Sequence, residues 1–451
     1  MTTVKGKGLS HSLLMGKRFY IVFFLFCQML INYVDRVNLS IAAPAIAKHF
    51  HWDPAVMGWV FSAYLWTYII FLVPNGWWVD RFGSRRVSAV AVTFWSMMAV
   101  CTGAVTNFVT MILARLGLGI GEAASFPVVN KVVRQWFPAR ERAYATALYH
   151  SGMFLSMAFG APLIAWAVVH LGWRWSFVAT AIPGFFWVLA WLKWFHQPEE
   201  CAWLSPEERK VILETRQGGT ASSEAGSSTD RPLSMGKALK VLLRHTSMWG
   251  MCLTQGCQNY MNYLFLAWLP SYLVWRGMNL MKAGVYTALP YLIGGIAEII
   301  LCRFSDRILK PEDVRKGKRR SQNALCLLFT SVVLLIPVLH NEFAILAVIT
   351  IALAFNTTAA SLDLTLTNDL IQDHKVVGSA FGLLLLGGNI FGVAAPIVTG
   401  YIVKSTGSFN SAFALAGGLA LIGAASVFTM SRRPICGVPE PLASSATEGK
   451  L

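Results

Sequence analysis

The chain has 451 residues, of which 55% are hydrophobic and only 13% are charged, about half of the roughly 25% charged residues that soluble domains carry. A single water-soluble core cannot absorb this much apolar sequence, so the composition favours a polytopic membrane protein. The net charge of +16 does not indicate nucleic-acid binding, because the lysines and arginines lie mainly between alternate apolar segments.

Apolar windows long enough to span a bilayer occur six times before a polar stretch and six times after it. The windows are 19–47, 56–79, 87–107, 109–133, 143–169, 174–195, 247–275, 283–307, 322–340, 343–370, 377–404 and 409–431. We therefore predict an all-α membrane protein with twelve transmembrane helices in two six-helix pseudo-repeats. The predicted units are an amino-terminal bundle (1–196), a central loop (197–245), a carboxy-terminal bundle (246–433) and a tail (434–451).

The distribution of positive charge predicts the orientation. One side collects Lys17, Arg18, Arg85, Arg86 and the basic segment 310–320, whereas the other side has only scattered charges. Because positively charged loops stay in the cytoplasm, both termini, the central loop and the tail are predicted to be cytoplasmic.

The first window contains Asp35 and Arg36, and the fourth contains Arg115 and Glu122. A charge at the centre of a spanning helix costs about 2.5–3.5 kcal/mol on insertion scales, so these four side chains should face one another or a wet cavity. Arg115 and Glu122 are seven residues apart and share one helix face. Buried arginines hold carboxylates bidentately, and a buried acid is a candidate proton carrier. This pattern indicates a site for an anion and a proton.

The loop after the second window predicts a charge-based latch. Gly76 would allow helices to approach closely, Asp80 would pair with a basic group or a helix terminus, and Gly83 would permit the turn. The pair Asp80-Arg81 recurs as Asp306-Arg307, 226 residues later, which supports a two-fold repeat. The predicted gating residues are Gly76, Asp80, Arg81, Gly83, Arg85, Asp306 and Arg307.

Other windows contain polar side chains that could bind a hydroxylated substrate. In the second window Tyr68 could join Tyr33 in a hydroxyl-lined wall, whereas Tyr64 is expected to serve packing. Pro270 in the seventh window could break its helix. The predicted substrate-binding residues are Tyr33, Arg36, Tyr68, Arg115, Asn259, Tyr263 and Asn389.

These motifs resemble those of a known family. The segment 76–86 resembles the G-x-x-x-D-R-x-G-x-[RK]-[RK] signature of the major facilitator superfamily. The segments 33–38 and 136–142 and the Arg115–Glu122 spacing resemble its anion:cation symporter branch, which includes galactonate transporters. The resemblance implies the major facilitator fold, with Asp35 and Glu122 in proton coupling and Arg36 in anion recognition together with Arg115.

Two features depart from that resemblance. Met153 stands where galactonate-type relatives carry a glutamine, so a hydrogen-bonding amide is lost. Glu298 and Asp363 are acids that the resemblance does not explain, and we expect structural roles for them.

We therefore expect a secondary active transporter that imports an organic anion, a sugar acid of the hexonate, hexuronate or aldarate type, by proton symport with alternating access. The alternatives are a drug/proton antiporter and a carrier for a non-sugar carboxylate; a membrane-embedded enzyme or receptor is disfavoured. The chain has no metal-binding, phosphate-binding or nucleophile motif, so no cofactor, metal or catalytic residue is predicted. The expected partners are a small anion, protons and the lipid bilayer, with a monomer in a bacterial inner membrane.

Overall fold

The computed structural model describes residues 17–201, 203–206, 208–210, 212–213, 235–308, 318–371 and 376–435. The low-complexity part of the predicted central loop, residues 218–223, and most of the predicted tail lie outside these residues. Within them the chain is helical, with one isolated bridge between Ile371 and Ile435.

The first half contains seven helices, two of which together form one membrane crossing. They are α1 (Phe19–Phe50), α2 (Pro54–Phe82), α3 (Ser84–Gly103), α4 (Phe108–Glu122), α5 (Ser125–Trp136), α6 (Ala139–Leu171) and α7 (Trp173–Trp194).

The second half repeats this arrangement after a short helix. Its helices are α8 (Met235–Leu242), α9 (Thr246–Trp275), α10 (Leu280–Ile308), α11 (Arg319–Thr330), which continues as a 3₁₀ helix (Ser331–Val338), α12 (Glu342–Leu370), α13 (Val377–Thr406) and α14 (Asn410–Met430).

Among the described helices, eleven crossings are long and apolar enough to span a membrane. Helix α9 has the required length, at 30 residues, but it carries polar side chains through its middle, including Gln255, Gln258 and Asn259. It therefore completes the twelve predicted crossings as the most polar one. The helix is continuous through Pro270, so the predicted break there is wrong: the neighbouring turns hold the segment helical around the missing amide.

The fourth crossing is divided between α4 and α5 at residues 123–124. Helix α4 begins with a capping box in which Asn107 and Thr110 satisfy each other's backbone amides. Its glycines allow close packing, since a Cβ at Gly119 would lie 2.1 Å from the Tyr64 carbonyl oxygen on α2. This contact places the polar face of α4 directly against α2.

Among the described helices, the two halves meet mainly through three pairs: α1 with α9, α2 with α13, and α6 with α10. The last two pairs are related by the repeat, since α2 corresponds to α10 and α6 to α13. The contact is tightest near Asp53, because a Cβ at Gly58 would lie 2.6 Å from the Pro396 carbonyl oxygen and one at Gly400 would lie 2.4 Å from that of Pro54. We call this end of the molecule the Asp53 side and the opposite end the Asp80 side.

On the Asp80 side, Arg18 ties the start of α1 to two other segments. Its Nη2 lies 2.9 Å from an oxygen of Glu141 at the start of α6, and its backbone amide donates to Glu208 Oε1 at 3.2 Å. The Arg18 side chain is only 1% exposed. Burial raises the pKa of Glu141. The described part of the central loop is therefore anchored on the first half.

Candidate functional site

Four charged side chains lie buried inside the first half, near the contact with the second half. Asp35 and Arg36 come from α1, and Arg115 and Glu122 come from α4; none is more than 9% exposed. Fully ionised, two acids and two bases carry no net charge. This balance allows four charges to occupy one apolar bundle at an acceptable cost.

Arg36 and Glu122 form an ion pair between α1 and α4, with Nε 2.8 Å from Oε2. The faces of three tyrosine rings surround the same guanidinium, with centroids 4.6 Å away for Tyr33, 5.3 Å for Tyr64 and 5.2 Å for Tyr68. Arg36 Nη2 and Glu122 Oε1 have no hydrogen-bond partner among the described residues. The three tyrosine rings and Glu122 therefore hold the Arg36 guanidinium in place, while its Nη2 remains available as a donor.

Arg115 does not pair with Glu122, although the two share a helix face. Its Nη2 donates to Thr102 Oγ1 at 2.9 Å, its guanidinium carbon lies 5.6 Å from the ring centroid of Phe177, and its Nε has no partner among the described residues. Glu122 instead takes Arg36 as its partner. Arg115 thus keeps donors free for an anion.

Asp35 is the most isolated of the four charges. Neither oxygen of its carboxylate has a hydrogen-bond partner at normal distance in the described structure. On the same helix, Asn38 donates to Thr180 Oγ1 at 3.0 Å and accepts from Ser176 at 2.9 Å, so α7 borders this acid. A buried carboxyl without an ion pair is suited to carrying a proton.

Both arginines line one cavity of about 30 Å³ between the halves. It is far smaller than the ~300–1,000 Å³ of ordinary ligand pockets, so an organic anion requires the halves to separate further. The lining residues are Arg36, Leu39, Ser40, Phe61, Tyr64, Arg115, Leu118, Tyr263, Leu266, Ala267 and Pro396.

Sequence reasoning proposed three of these lining residues: Arg36, Arg115 and Tyr263. It placed Tyr64 in packing, but the Tyr64 hydroxyl lies buried at the cavity without a partner among the described residues. Ser40 was also missed as a site residue, although it lies four residues after Arg36. Its hydroxyl donates to the Ala267 carbonyl at 3.3 Å. Helical spacing from Arg36 was the signal that could have found Ser40.

The other predicted substrate-binding residues are not among those that line the cavity. Tyr33 and Tyr68 contact Arg36 from the side. Asn389 Nδ2 donates to the carbonyl of Leu385 on its own helix at 2.9 Å, and Asn259 lies against Gly388 of α13. In this conformation the structure does not bring either asparagine to the arginines.

The predicted gating residues lie on the Asp80 side, and the ion pairs that the described residues give Asp80 and Asp306 each remain within one half. Asp80 Oδ1 lies 3.0 Å from Nζ of Lys131 on α5, not beside a loop arginine. In the second half, Asp306 Oδ1 lies 2.7 Å from Arg319 Nη1. A Cβ at Gly76 would meet no atom within 4 Å, so the expected close helix approach there is wrong for this conformation.

The remaining gating residues support the loop itself. Gly83 adopts a φ of +81°, which favours glycine because a Cβ is strained there, and it joins α2 to α3. Arg81 stacks on Trp77, with its guanidinium carbon 5.2 Å from the ring centroid, and Arg85 donates to the Leu192 carbonyl. Arg307 is exposed at the end of α10.

On the Asp53 side, contacts between the halves close the path to the cavity. Asp53 Oδ2 lies 2.7 Å from Nζ of Lys404 on α13, and Ser62 donates to the Val393 carbonyl at 2.8 Å. Hydrogen bonds from Lys404 and from the Val56 amide lower the pKa of Asp53, so it stays ionised at neutral pH. The structure therefore represents a state sealed on the Asp53 side.

The fold and the buried charged site define a membrane carrier built from two six-helix halves. Residues 25–361 match the family model described as Major Facilitator Superfamily, and the chain belongs to this family. It is thus an integral membrane transporter and not an enzyme.

Similar proteins agree with this assignment. The chain is 32% identical to the probable galactarate/D-glucarate transporter GudP of Bacillus subtilis, over 90% of each chain. It is 31% identical to a D-galactonate transporter of Escherichia coli, over 91% of this chain and 95% of the other. A solved bacterial homologue of the lysosomal transporter Spinster superposes with a TM-score of 0.71 at 17% identity, covering 92% of this chain and 97% of that one.

Proposed function

We propose that this protein imports a sugar-acid anion together with protons. The observation that carries the proposal is that Arg36 and Arg115, each with an unpaired nitrogen, line the same cavity between the two halves. Two guanidinium groups match the carboxylates of an acid sugar. The tyrosine hydroxyls and Ser40 provide neutral partners for its hydroxyls. The printed names of the relatives, which include galactarate/D-glucarate and D-galactonate transporters, support this substrate class.

Charge balance supports proton coupling. With Asp35, Arg36, Arg115 and Glu122 all ionised, the buried site is neutral, so an incoming anion would leave it with excess negative charge. Protonating one acid for each substrate charge restores neutrality, and unpaired charge is costly in this setting. Asp35 and Glu122 are the acids that take up these protons. A dianionic aldarate would then bring two protons and a monoanionic hexonate one.

Glu122 provides the link between proton and substrate. While ionised it holds Arg36 at 2.8 Å; once protonated it releases much of that attraction, and Arg36 is free to bind a carboxylate. Substrate release and proton release are then coupled through the same guanidinium. Arg115, which forms no ion pair with the described residues, holds the anion in either case.

Alternating access uses the two predicted bundles, 1–196 and 246–433, as the moving units. The described state is sealed on the Asp53 side by α2 and α13, and by α6 and α10. Rocking about the α1–α9 contact would open that side and close the Asp80 side. The charged residues of the Asp80 side then act as the gate, with Asp80 and Asp306 exchanging partners.

The basic residues cluster on the Asp80 side, which we assign to the cytoplasm together with both termini. The described state is accordingly closed to the outside. The chain carries all the elements of the site within one copy, which favours a monomer, and its relatives come from bacteria, which favours a bacterial inner membrane.

The decisive experiment measures uptake of labelled anions into liposomes that contain the purified protein, with a pH gradient acid outside. Galactarate, galactonate and glucuronate represent the three classes of sugar acid, and adipate represents a non-sugar dicarboxylate of similar length. We expect at least one sugar acid to accumulate, and a protonophore to abolish that accumulation. Accumulation of adipate alone would indicate a general carboxylate carrier, and gradient-driven export of a cationic dye would indicate an antiporter.

A further inference from the structure

A third buried acid, Asp363, lies in the second half of the molecule and does not line the cavity. Asp363 on α12 is 0% exposed. Its Oδ1 accepts one hydrogen bond from Asn323 Nδ2 of α11 at 3.4 Å. Asn323 Oδ1 in turn accepts from Gln258 Nε2 of α9 at 3.4 Å. Three helices of the second half thus meet in one buried polar chain.

This cluster has fewer hydrogen-bond donors than acceptors. The side-chain nitrogens of Asn323 and Gln258 donate within the chain, and Asn356 Nδ2 donates to the Gln258 carbonyl at 3.2 Å. Asp363 Oδ2, Gln258 Oε1 and Asn356 Oδ1 are all buried and accept nothing from the described residues. All three orphaned atoms are acceptors, so the cluster needs an added donor or a cation.

The groups around Asp363 do not neutralise it. From α11, Arg319 lies one turn before Asn323, but its described ion pairs are with Asp306 at 2.7 Å and Asp369 at 3.0 Å. From α9, the neighbouring titratable group is the Cys252 thiol. From α10, Glu298 bonds to Ser361 at 2.5 Å. An ionised carboxylate in this position would be an uncompensated buried charge, which proteins avoid by neutralising the group.

We propose that Asp363, within the chain Gln258–Asn323–Asp363, is a proton-binding site of the second half that exchanges its proton during transport. The proton bound at Oδ2 removes the charge and supplies a missing donor. The exchange part of this inference rests on the proposed function, since it adds one proton to each transport cycle.

Arg319 provides the means of release. Its partner Asp306 belongs to the repeated loop motif, and Asn323, the partner of Asp363, lies on the next turn of the same helix. When the Asp80 side closes and the ion pair between Asp306 and Arg319 breaks, the Arg319 guanidinium can turn toward Asp363 and stabilise its carboxylate. The Oδ2–H bond then breaks and the proton passes to water on the Asp80 side.

The first test asks whether Asp363 holds a proton. Infrared spectra of the purified full-length protein in liposomes at neutral pH are compared between wild type and Asp363→Asn, which keeps the shape and supplies an amide donor. We expect the variant to lose one protonated-carboxyl band, whereas the control Glu298→Gln keeps that band. The proposal is overturned if Asp363→Asn leaves the spectrum unchanged. It is also overturned if the wild-type protein shows a sodium-dependent signal in place of the protonated-carboxyl band. Gel filtration checks that each variant is folded.

The second test asks whether the proton moves. Protons and labelled sugar acid entering the same liposomes are counted together. We expect Asp363→Asn to carry one proton fewer per substrate than wild type, with Glu298→Gln at the wild-type ratio. An unchanged ratio in Asp363→Asn overturns the exchange. If wild type carries no sugar acid at all, the proposed function fails, while the infrared result still decides whether Asp363 is protonated.

Discussion

At the scale of single residues, Arg36 is the centre of the site. It is shared between an acid, Glu122, and three tyrosine rings, and the resulting attraction is what permits a charge to remain ionised in the apolar bundle. Removing one partner of a buried pair typically costs about 3–5 kcal/mol, because the other charge is left uncompensated. Substitutions here should therefore be conservative in shape, so that changes in transport can be separated from loss of fold.

Arg115→Lys is expected to reduce anion uptake about 10- to 100-fold. An ammonium group cannot reproduce the planar, two-pronged hydrogen bonding of the guanidinium, and a hydrogen bond to a charged group contributes about 1.5–3 kcal/mol. Initial uptake rates in liposomes measure the effect. Arg174→Lys is the matched control, because Arg174 stacks on Trp173 at 4.2 Å away from the cavity. Near-normal uptake by Arg115→Lys would remove Arg115 from the binding site.

Glu122→Gln mimics the protonated acid and is expected to separate binding from coupling. The amide can still accept from Arg36 Nε, but it has no charge to hold the guanidinium, so anion binding should be retained or tightened. Counterflow exchange should persist, whereas accumulation driven by a pH gradient should fall well below the wild-type level, because the proton that Glu122 carries is no longer moved. Both are measured in the same liposomes, with Glu298→Gln as control. If Glu122→Gln concentrates substrate as well as the wild type, Glu122 is not a coupling acid and Asp35 is left in that role.

At the scale of helices, the seal on the Asp53 side depends on close backbone approach. Small residues allow it: Gly58 faces Pro396 and Gly400 faces Pro54. The exposed ion pair between Asp53 and Lys404 adds orientation more than strength, because such pairs are well screened by water. We therefore expect the seal to depend more on helix packing, including that between α2 and α13, than on this ion pair.

Gly58→Leu should prevent this closure. A side chain there would meet a backbone oxygen at 2.6 Å, which no rotamer can relieve, so the sealed state is expected to be depopulated and transport reduced at least tenfold. Gly418→Leu is the control, since a Cβ at Gly418 meets nothing within 4 Å. The measurement is the distance between spin labels on α2 and α13 at the Asp53 side. Unchanged distances would show that the glycine contact does not set the state.

At the scale of the whole molecule, the positive charge on the Asp80 side predicts that this side faces the cytoplasm. A cysteine placed at Thr406, exposed at the end of α13, should react with a membrane-impermeant maleimide in intact cells. One at Lys193, near the end of α7, should react only in inverted vesicles. Both are placed in a version lacking the native cysteines. The reverse labelling pattern would invert the orientation and, with it, the direction of the state described here.

The sequence by itself determined the number of crossings, their approximate bounds and the presence of four charges in the membrane. These properties depend on hydropathy and spacing along one chain, which the sequence records directly. It also indicated the repeat, through Asp80 and Asp306. The divided fourth crossing was not visible, because the break at residues 123–124 leaves the hydropathy unchanged.

Only the tertiary structure decided which of these residues meet. Helical spacing places Arg115 and Glu122 on one face, yet Glu122 pairs with Arg36, because the rotation of α1 against α4 brings that guanidinium to 2.8 Å. The same geometry brings Tyr64 to the cavity and turns Asn389 back on its own helix. It also joins Asp363 to Asn323, and through Asn323 to Gln258, on two other helices. Such pairings depend on the distance between helices and on their relative rotation. The periodicity of a single helix determines neither quantity.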